Sequence, residues 1–209
     1  CAENTGWPSM TGSNKLVLAS ASPRRRELLA RMGVTFEVDP ADIDETPQPL
    51  EAPRDYVLRM ARSKADCVSA RHLHKASIVL AADTTVVIDN VPLGKPQSRD
   101  DGKRILTLLS GRTHVVMSAV CLSCEGSVST ELVETAVDFI PLKPELIEAY
   151  LNTPEPWDKA GAYGIQGLGG VFVRSLRGCY SNVVGLPMSQ TWQLLSQYGV
   201  ANTLEPCDE

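Results

Sequence analysis

No apolar run in this 209-residue chain approaches the ~20 residues that a membrane-crossing helix needs. Positive charge is not in excess either. The 25 Asp and Glu outnumber the 20 Lys and Arg, giving a formal net charge of −5, which argues against a broad nucleic-acid or anionic-membrane surface. Basic residues must then serve a local anion. A cysteine framework is also missing: Cys1, Cys67, Cys121, Cys124, Cys179 and Cys207 are scattered, in a chain too large to need disulfide staples. Cys121 and Cys124 have CxxC spacing, but no second such pair completes a zinc site, and three residues apart on a strand they would point to opposite faces. Reduced cysteines in a cytoplasmic protein are expected. The histidines His72, His74 and His114 show no metal-ligand spacing and read as surface or core-edge residues. There is no GxxxxGK[ST] motif, no GxGxxG after a strand, no internal repeat and no low-complexity linker.

What is present describes an ordinary soluble globular protein, with 43% hydrophobic and 22% charged residues. Residues 1–14 read as an extension without the basic-then-apolar pattern of a signal peptide, residues 15–199 as one domain, and residues 200–209 as a tail. Strands are expected over residues 16–19, 35–38, 78–82, 113–124, 129–140 and 171–176. Residues 86–93 read as a hairpin around Asp89-Asn90. Helices are expected from Pro23, over 53–71, 100–109, 145–151 and 187–198. In the second of these, Tyr56, Val57, Met60, Ala61, Lys64, Ala65 and Val68 recur at 3.6-residue spacing. Residues 159–170 carry five glycines and cannot form a regular element. Parallel-type crossovers mixed with hairpins indicate an α/β (mixed α+β) fold built on a mixed sheet.

The chemistry concentrates in a few places. Ser20-Ala21-Ser22-Pro23-Arg24-Arg25 ends a buried strand and begins a helix, with Ser22 at the N-cap and Pro23 at the first helical position. That turn aims backbone N–H groups, two hydroxyls and arginines at one place, and a phosphate is the natural occupant. Asp83 directly follows the apolar run Ile78-Val79-Leu80-Ala81-Ala82, so it is expected at the carboxyl end of a central strand, where α/β sheets place ligands. There it can hold a divalent metal or act as a general base. Lys95 sits in the rigid turn Gly94-Lys95-Pro96, and Glu45 in an acidic loop. Lys64 either reaches inward from its helix or lays its stem on the surface. Gln166, among glycines that permit close backbone approach, offers a donor and an acceptor suited to a base edge.

Taken in order, Ser20-Ala21-Ser22-Pro23-Arg24-Arg25, Ala82-Asp83-Thr84, Gly94-Lys95-Pro96, Leu109-Ser110-Gly111, Asp158-Lys159-Ala160-Gly161-Ala162-Tyr163-Gly164-Ile165-Gln166-Gly167 and Asn182-Val183-Val184-Gly185-Leu186-Pro187 resemble the Maf family of nucleoside triphosphate pyrophosphatases. The resemblance implies an elongated, twisted mixed sheet in two lobes with a central nucleotide cleft, similar to the inosine triphosphate pyrophosphatase fold. It implies hydrolysis of a nucleoside triphosphate to the monophosphate and pyrophosphate. By the same resemblance, Asp83 matches the acidic catalytic residue. Arg25, Thr84 and Gln166 match positions linked to substrate choice, and Ser20, Arg24, Glu45, Lys64 and Lys95 match the polar cleft. The form around Gln166 is similar to the branch acting on dTTP and UTP. Asp83 with Glu45 is then expected to hold Mg²⁺ or Mn²⁺, while Ser22, Arg24 and Arg25 hold phosphates and Thr84 and Gln166 read a pyrimidine. The alternatives are the same reaction on other nucleotides and a non-catalytic nucleotide-binding regulator of cell division. The expected partner is a nucleotide rather than a nucleic acid or a membrane, with a homodimer as a candidate assembly.

Overall fold

The computed structural model of the chain describes residues 15–72, 77–200 and 204. The expected extension, His74 and nearly all of the expected tail lie outside those residues. The elements follow in the order β1 (Lys15–Leu18), α1 (Pro23–Arg31), β2 (Phe36–Val38), α2 (Pro53–Ser69), β3 (Ser77–Ile88), β4 (Val91–Leu93), α3 (Arg99–Leu109), β5 (Thr113–Cys124), β6 (Ser127–Phe139), α4 (Pro144–Leu151), β7 (Val173–Arg177), α5 (Tyr180–Val184) and α6 (Met188–Gln197). Short 3₁₀ turns at Pro156–Asp158, Ala160–Ala162 and Leu168–Phe172 fill the glycine-rich stretch. No described helix is long and apolar enough to cross a membrane.

One seven-stranded mixed sheet organises the chain in the order β2-β1-β3-β5-β6-β7, with β4 also on β3. β1 runs parallel to β2 and β3; β3, β5, β6 and β7 pair antiparallel. The apolar run ending at Ala82 does not end the strand. β3 continues through Asp83 to Ile88, pairing with β5 in unbroken register from Ile78↔Cys124 to Val87↔Val115. Asp83 is therefore mid-strand, because the β-branched residues Thr84, Thr85, Val86, Val87 and Ile88 extend the pairing past it.

The other edge of β3 explains why a cleft forms there. β1 pairs with Ser77, Ile78, Val79 and Leu80, and β4 pairs with Val86, Val87 and Ile88. Between these two neighbours, residues 81–85 have no strand on that side among the described residues. The sheet has a gap, and Asp83 sits in it.

Side-chain alternation distributes three cores around this gap. Ile78, Leu80 and Ala82 point to the face covered by α1 and α6, with Leu29, Leu194 and Leu195. Val86 and Ile88 lie farther along the same face, where α3 and α4 supply Leu106, Leu109 and Leu151. Val79, Ala81 and Val87 face the opposite way, onto Val57, Ala61 and Ala65 of α2. Cys121 and Cys124 fall in different cores, as opposite-facing strand residues must.

Local signals account for most element boundaries. The Ser22 hydroxyl accepts from the Arg25 amide at 3.4 Å, with Pro23 opening α1. Gly33 takes the left-handed conformation just past the helix. Asp89 and Asn90, both at positive φ, make a two-residue hairpin turn, and Glu125-Gly126 makes another. α5 has no counterpart in the sequence reading: five residues between Gly178 and Gly185 are too few to show a period.

Candidate active site

The gap beside β3 opens into a cavity of about 910 Å³. All the expected site residues line it: Ser20, Ser22, Arg24, Arg25, Glu45, Lys64, Asp83, Thr84, Lys95 and Gln166. Adjacent residues on a strand point to opposite faces, so Asp83 and Thr84 reach one cavity only because the open edge lets it wrap around the strand. The site accordingly has two sides.

On the α2 side, Asp83 and Lys64 are both 8% exposed. The Lys64 ammonium donates to Asp83 Oδ1 at 2.7 Å and also meets Glu45 Oε1 at 2.7 Å. Lys64 thus reaches inward; its helix face packs on the strand that carries Asp83. Tyr56, about two turns earlier on α2, donates its hydroxyl to the Glu45 carbonyl at 3.0 Å and steadies the acidic loop. Arg59 does likewise through Glu51 and the Thr46 carbonyl.

These surroundings push the two carboxyls apart. Burial raises the Asp83 pKa above its ordinary value, with Glu45 adding and Lys64 and Arg25 opposing. Burial acts upward on Glu45 too, but Lys64, Lys95 and Arg25 outweigh it and leave Glu45 below the ordinary range. One carboxylate is held ionised at the rim while the other, in the floor, has raised affinity for a proton.

On the opposite side, Arg25 is a brace. Its Nε donates to the Gly185 carbonyl at 2.9 Å, Nη1 to Ser20 Oγ at 3.2 Å and Nη2 to Thr84 Oγ1 at 3.1 Å. Thr84 Oγ1 lies 2.8 Å from Ser118 Oγ, which donates to the Asn182 carbonyl at 3.0 Å. Ser118 has one proton and gives it to Asn182, so Thr84 donates to Ser118 and accepts from Arg25, retaining one lone pair. Burial lowers the Arg25 pKa, with Asp83 opposing, and the guanidinium stays cationic. Its positive field faces the cavity although three donors are occupied.

The turn expected to receive an anion is more self-satisfied than its sequence suggests. The Ser22 amide goes to Ser20 Oγ at 3.2 Å, and the Arg25 amide to the Ser22 hydroxyl. Arg24 holds Asp158 Oδ2 at 3.0 Å, a contact spanning the cavity from α1 to the glycine-rich segment. Lys95 and Gln166 are exposed on the rim.

Two residues depart from expectation or escaped it. His114 is 1% exposed, inside the core rather than at its edge or at the surface. Its Nε2 lies 2.8 Å from the Tyr163 hydroxyl, and its ring stacks edge-on against Phe139 at 4.8 Å, which makes the apolar setting tolerable. Burial depresses its pKa to about 4. Glu155, on the cavity wall, accepts hydrogen bonds from two loop amides and the Tyr150 hydroxyl. Its flanking prolines carry no signal for that role.

A cleft lined by Arg24, Arg25, Lys64 and Lys95 and floored by a buried carboxylate–lysine pair, in the open edge of a mixed sheet, defines an α/β protein with a charged small-molecule cavity. The family described as Maf-like protein matches residues 15–198, and the chain belongs to that family. Among its relatives, the dTTP/UTP pyrophosphatase of Shewanella oneidensis is 52% identical over 191 residues, covering 88% of this chain and 98% of the relative. The protein of the same name from Anaeromyxobacter dehalogenans is 51% identical over 189 residues, 88% of this chain and 94% of its own. That from Colwellia psychrerythraea is 45% identical over 201 residues, 94% of each.

Proposed function

We propose that this protein hydrolyses nucleoside triphosphates, dTTP and UTP foremost, to the monophosphate and pyrophosphate in the cytoplasm. The observation that carries the reading is the buried Asp83–Lys64 pair beneath a cavity whose two sides bring cations and a base-sized polar rim together. The names of relatives near half-identity over almost the whole chain support the substrate.

Water attacks the α phosphorus, forming a new P–O bond as the bond to the β-phosphate bridging oxygen breaks and its electrons leave with pyrophosphate. The Asp83 carboxylate, whose proton affinity is raised by burial, accepts the proton that water loses. Arg24, Lys95 and the field of Arg25 offset negative charge on the phosphates, Ser20 and Ser22 shape the turn that receives them, and Lys64 keeps Asp83 aimed. Thr84, with its remaining lone pair, and Gln166 are suited to the donor and acceptors of a pyrimidine edge.

The donor set fits a hard divalent cation. Asp83 and Glu45 converge on one ammonium, and two carboxylates completed by substrate phosphate oxygens suit Mg²⁺ or Mn²⁺. Among the described residues no cluster of three or more His, Cys, Asp or Glu forms a self-sufficient site, so substrate oxygens would complete the coordination. Bound there, the ion would neutralise phosphate charge.

The test is pyrophosphate release from dTTP, UTP, CTP and GTP with Mg²⁺ or Mn²⁺. Asp83→Asn should lower kcat by at least about 10³-fold while retaining the fold and measurable nucleotide binding. Turnover of dTTP by that variant at near wild-type rate would sink the assignment. Binding without turnover in the wild type would favour a regulator.

A further inference from the structure

The glycine-rich segment that presents Gln166 hangs from two side chains. At its start, the Gly164 amide donates to the Tyr150 hydroxyl at 3.1 Å. At its end, the Leu168 amide donates to Glu155 Oε2 at 2.8 Å and the Gly169 amide to Glu155 Oε1 at 2.9 Å. The Tyr150 hydroxyl in turn donates to Glu155 Oε1 at 2.8 Å, joining both attachments into one hub. Gln166 lies midway between them.

The glycines exist to let this hub come close. A Cβ on Gly167 would stand 2.2 Å from Glu155 Oε2, and one on Gly169 would stand 2.8 Å from the Tyr150 hydroxyl. Each end of the hub is itself anchored: the Tyr150 ring stacks edge-on against Phe172 at 4.8 Å, and Lys159 Nζ donates to the Glu155 carbonyl at 2.7 Å. Burial pushes the Glu155 pKa up, but the Gly169 and Leu168 amides, Tyr150 and Lys159 leave it net below the ordinary carboxylate value, so the hub is ionised at neutral pH.

We propose that Glu155, assisted by Tyr150, is a positioning residue that sets nucleotide discrimination by holding Gln166 in place, without touching the chemistry at Asp83. The inference rests on the pyrophosphatase reading of the cavity. A carboxylate is required because both oxygens accept from backbone N–H groups. A glutamine of the same shape must turn an N–H toward an N–H, leaving a donor unsatisfied.

The experiment compares wild type, Glu155→Gln, Tyr150→Phe, Gln166→Ala and the Glu155→Gln/Gln166→Ala double variant, with kcat and KM measured for dTTP and for GTP. Amide hydrogen exchange is followed over residues 164–170 in each folded variant. In Glu155→Gln, the dTTP-over-GTP ratio of kcat/KM should fall about tenfold, mostly through KM, with kcat within about threefold of wild type. Exchange of the Leu168 and Gly169 amides should quicken. The double variant should discriminate no worse than Gln166→Ala alone, because both changes remove one function. Tyr150→Phe, which keeps the ring, should shift discrimination in the same direction by less, and it carries the test should Glu155→Gln fail to fold. Unchanged discrimination in the folded variants, multiplicative losses in the double variant, or full discrimination by Gln166→Ala would each overturn the inference while leaving the pyrophosphatase reading standing. A wild type that releases no pyrophosphate from any triphosphate would overturn that reading, and the inference with it.

Discussion

A neutral imidazole buried beside the cavity gives the protein an acid sensitivity separate from that of the Asp83 carboxylate. His114 titrates at about 4 when folded and near 6.5 in an unfolded chain. Between those values the unfolded state binds more protons, so stability rises with pH. The contribution is therefore complete above about pH 6.5, lost as pH falls to about 4, and unchanged below that. At 1.36 kcal/mol per unit the loss is on the order of 3 kcal/mol. Urea midpoints at intervals from pH 4 to 7 should fall more steeply in wild type than in His114→Phe. The variant begins about 1 to 3 kcal/mol less stable at neutral pH, because the Tyr163 hydroxyl loses its partner. Parallel slopes would refute the assignment. At this scale the sequence was an uneven guide. Asp83 stood out by following an apolar run, and Ser22 and Pro23 by their capping chemistry. The Lys64–Asp83 and Arg24–Asp158 contacts join residues 19 and 134 positions apart, which no spacing rule connects. Resemblance to a family, rather than periodicity, brought Arg24, Lys64 and Asp83 together in advance, and nothing singled out Asp158 as their neighbour.

Elements were more legible than their junctions. Helices α2, α3 and α6 carry an apolar period, and the long β5–β6 hairpin alternates around a glycine turn, so local pattern suffices for each. The end of β3 was placed too early, at the close of the apolar run, although the β-branched Thr84 and Thr85 themselves prolong the strand. What extends it is pairing with β5, a non-local property. A junction that no local pattern reveals is the crossing of the Gly161 turn over β3. Gly161 has φ +74°, and a Cβ there would meet Val86 Cγ2 at 2.9 Å. Its amide donates to the Gly94 carbonyl at 3.1 Å, tying the glycine-rich segment to the Lys95 turn. Gly161→Ala combines a left-handed backbone penalty with overpacking, and should destabilise the protein by about 2 to 4 kcal/mol. Thermal unfolding checks the cost, and a raised KM for dTTP would register displacement of Lys95.

For the whole molecule, β3 and β5 thread all three cores, so the β1–β2 pair at one end and the β6–β7 pair at the other both rest on the same two central strands. Unfolding should therefore be a single transition. Trp192 packs against the core beside α1 and α6, and Trp157 against the core beside α3 and α4. With Trp7 and one of these two replaced by phenylalanine, each remaining tryptophan reports one end of the molecule. Their denaturation midpoints should coincide with one another and with the loss of helical circular dichroism, once each variant's own stability is allowed for. A plateau between two separated transitions would mean that the ends unfold independently.

The interrupted edge of β3 has a mechanical consequence. Hinges need a place where the backbone is free to bend, and the stretch beside the cavity is where one edge of the sheet has lost its neighbour. The opposite edge, however, is stitched to β5 without a break from Ile78 to Val87. Bending the floor would tear that ladder, so the two ends of the sheet cannot swing apart like jaws. Travel is left to the Glu45 loop on the rim, attached through the Tyr56, Arg59 and Lys64 side chains, since Glu155 and Tyr150 pin the Gln166 loop at both ends. The protein behaves as a fixed anvil with one adjustable finger: Asp83 keeps its place in the floor, and the acidic loop alone is left to travel over it.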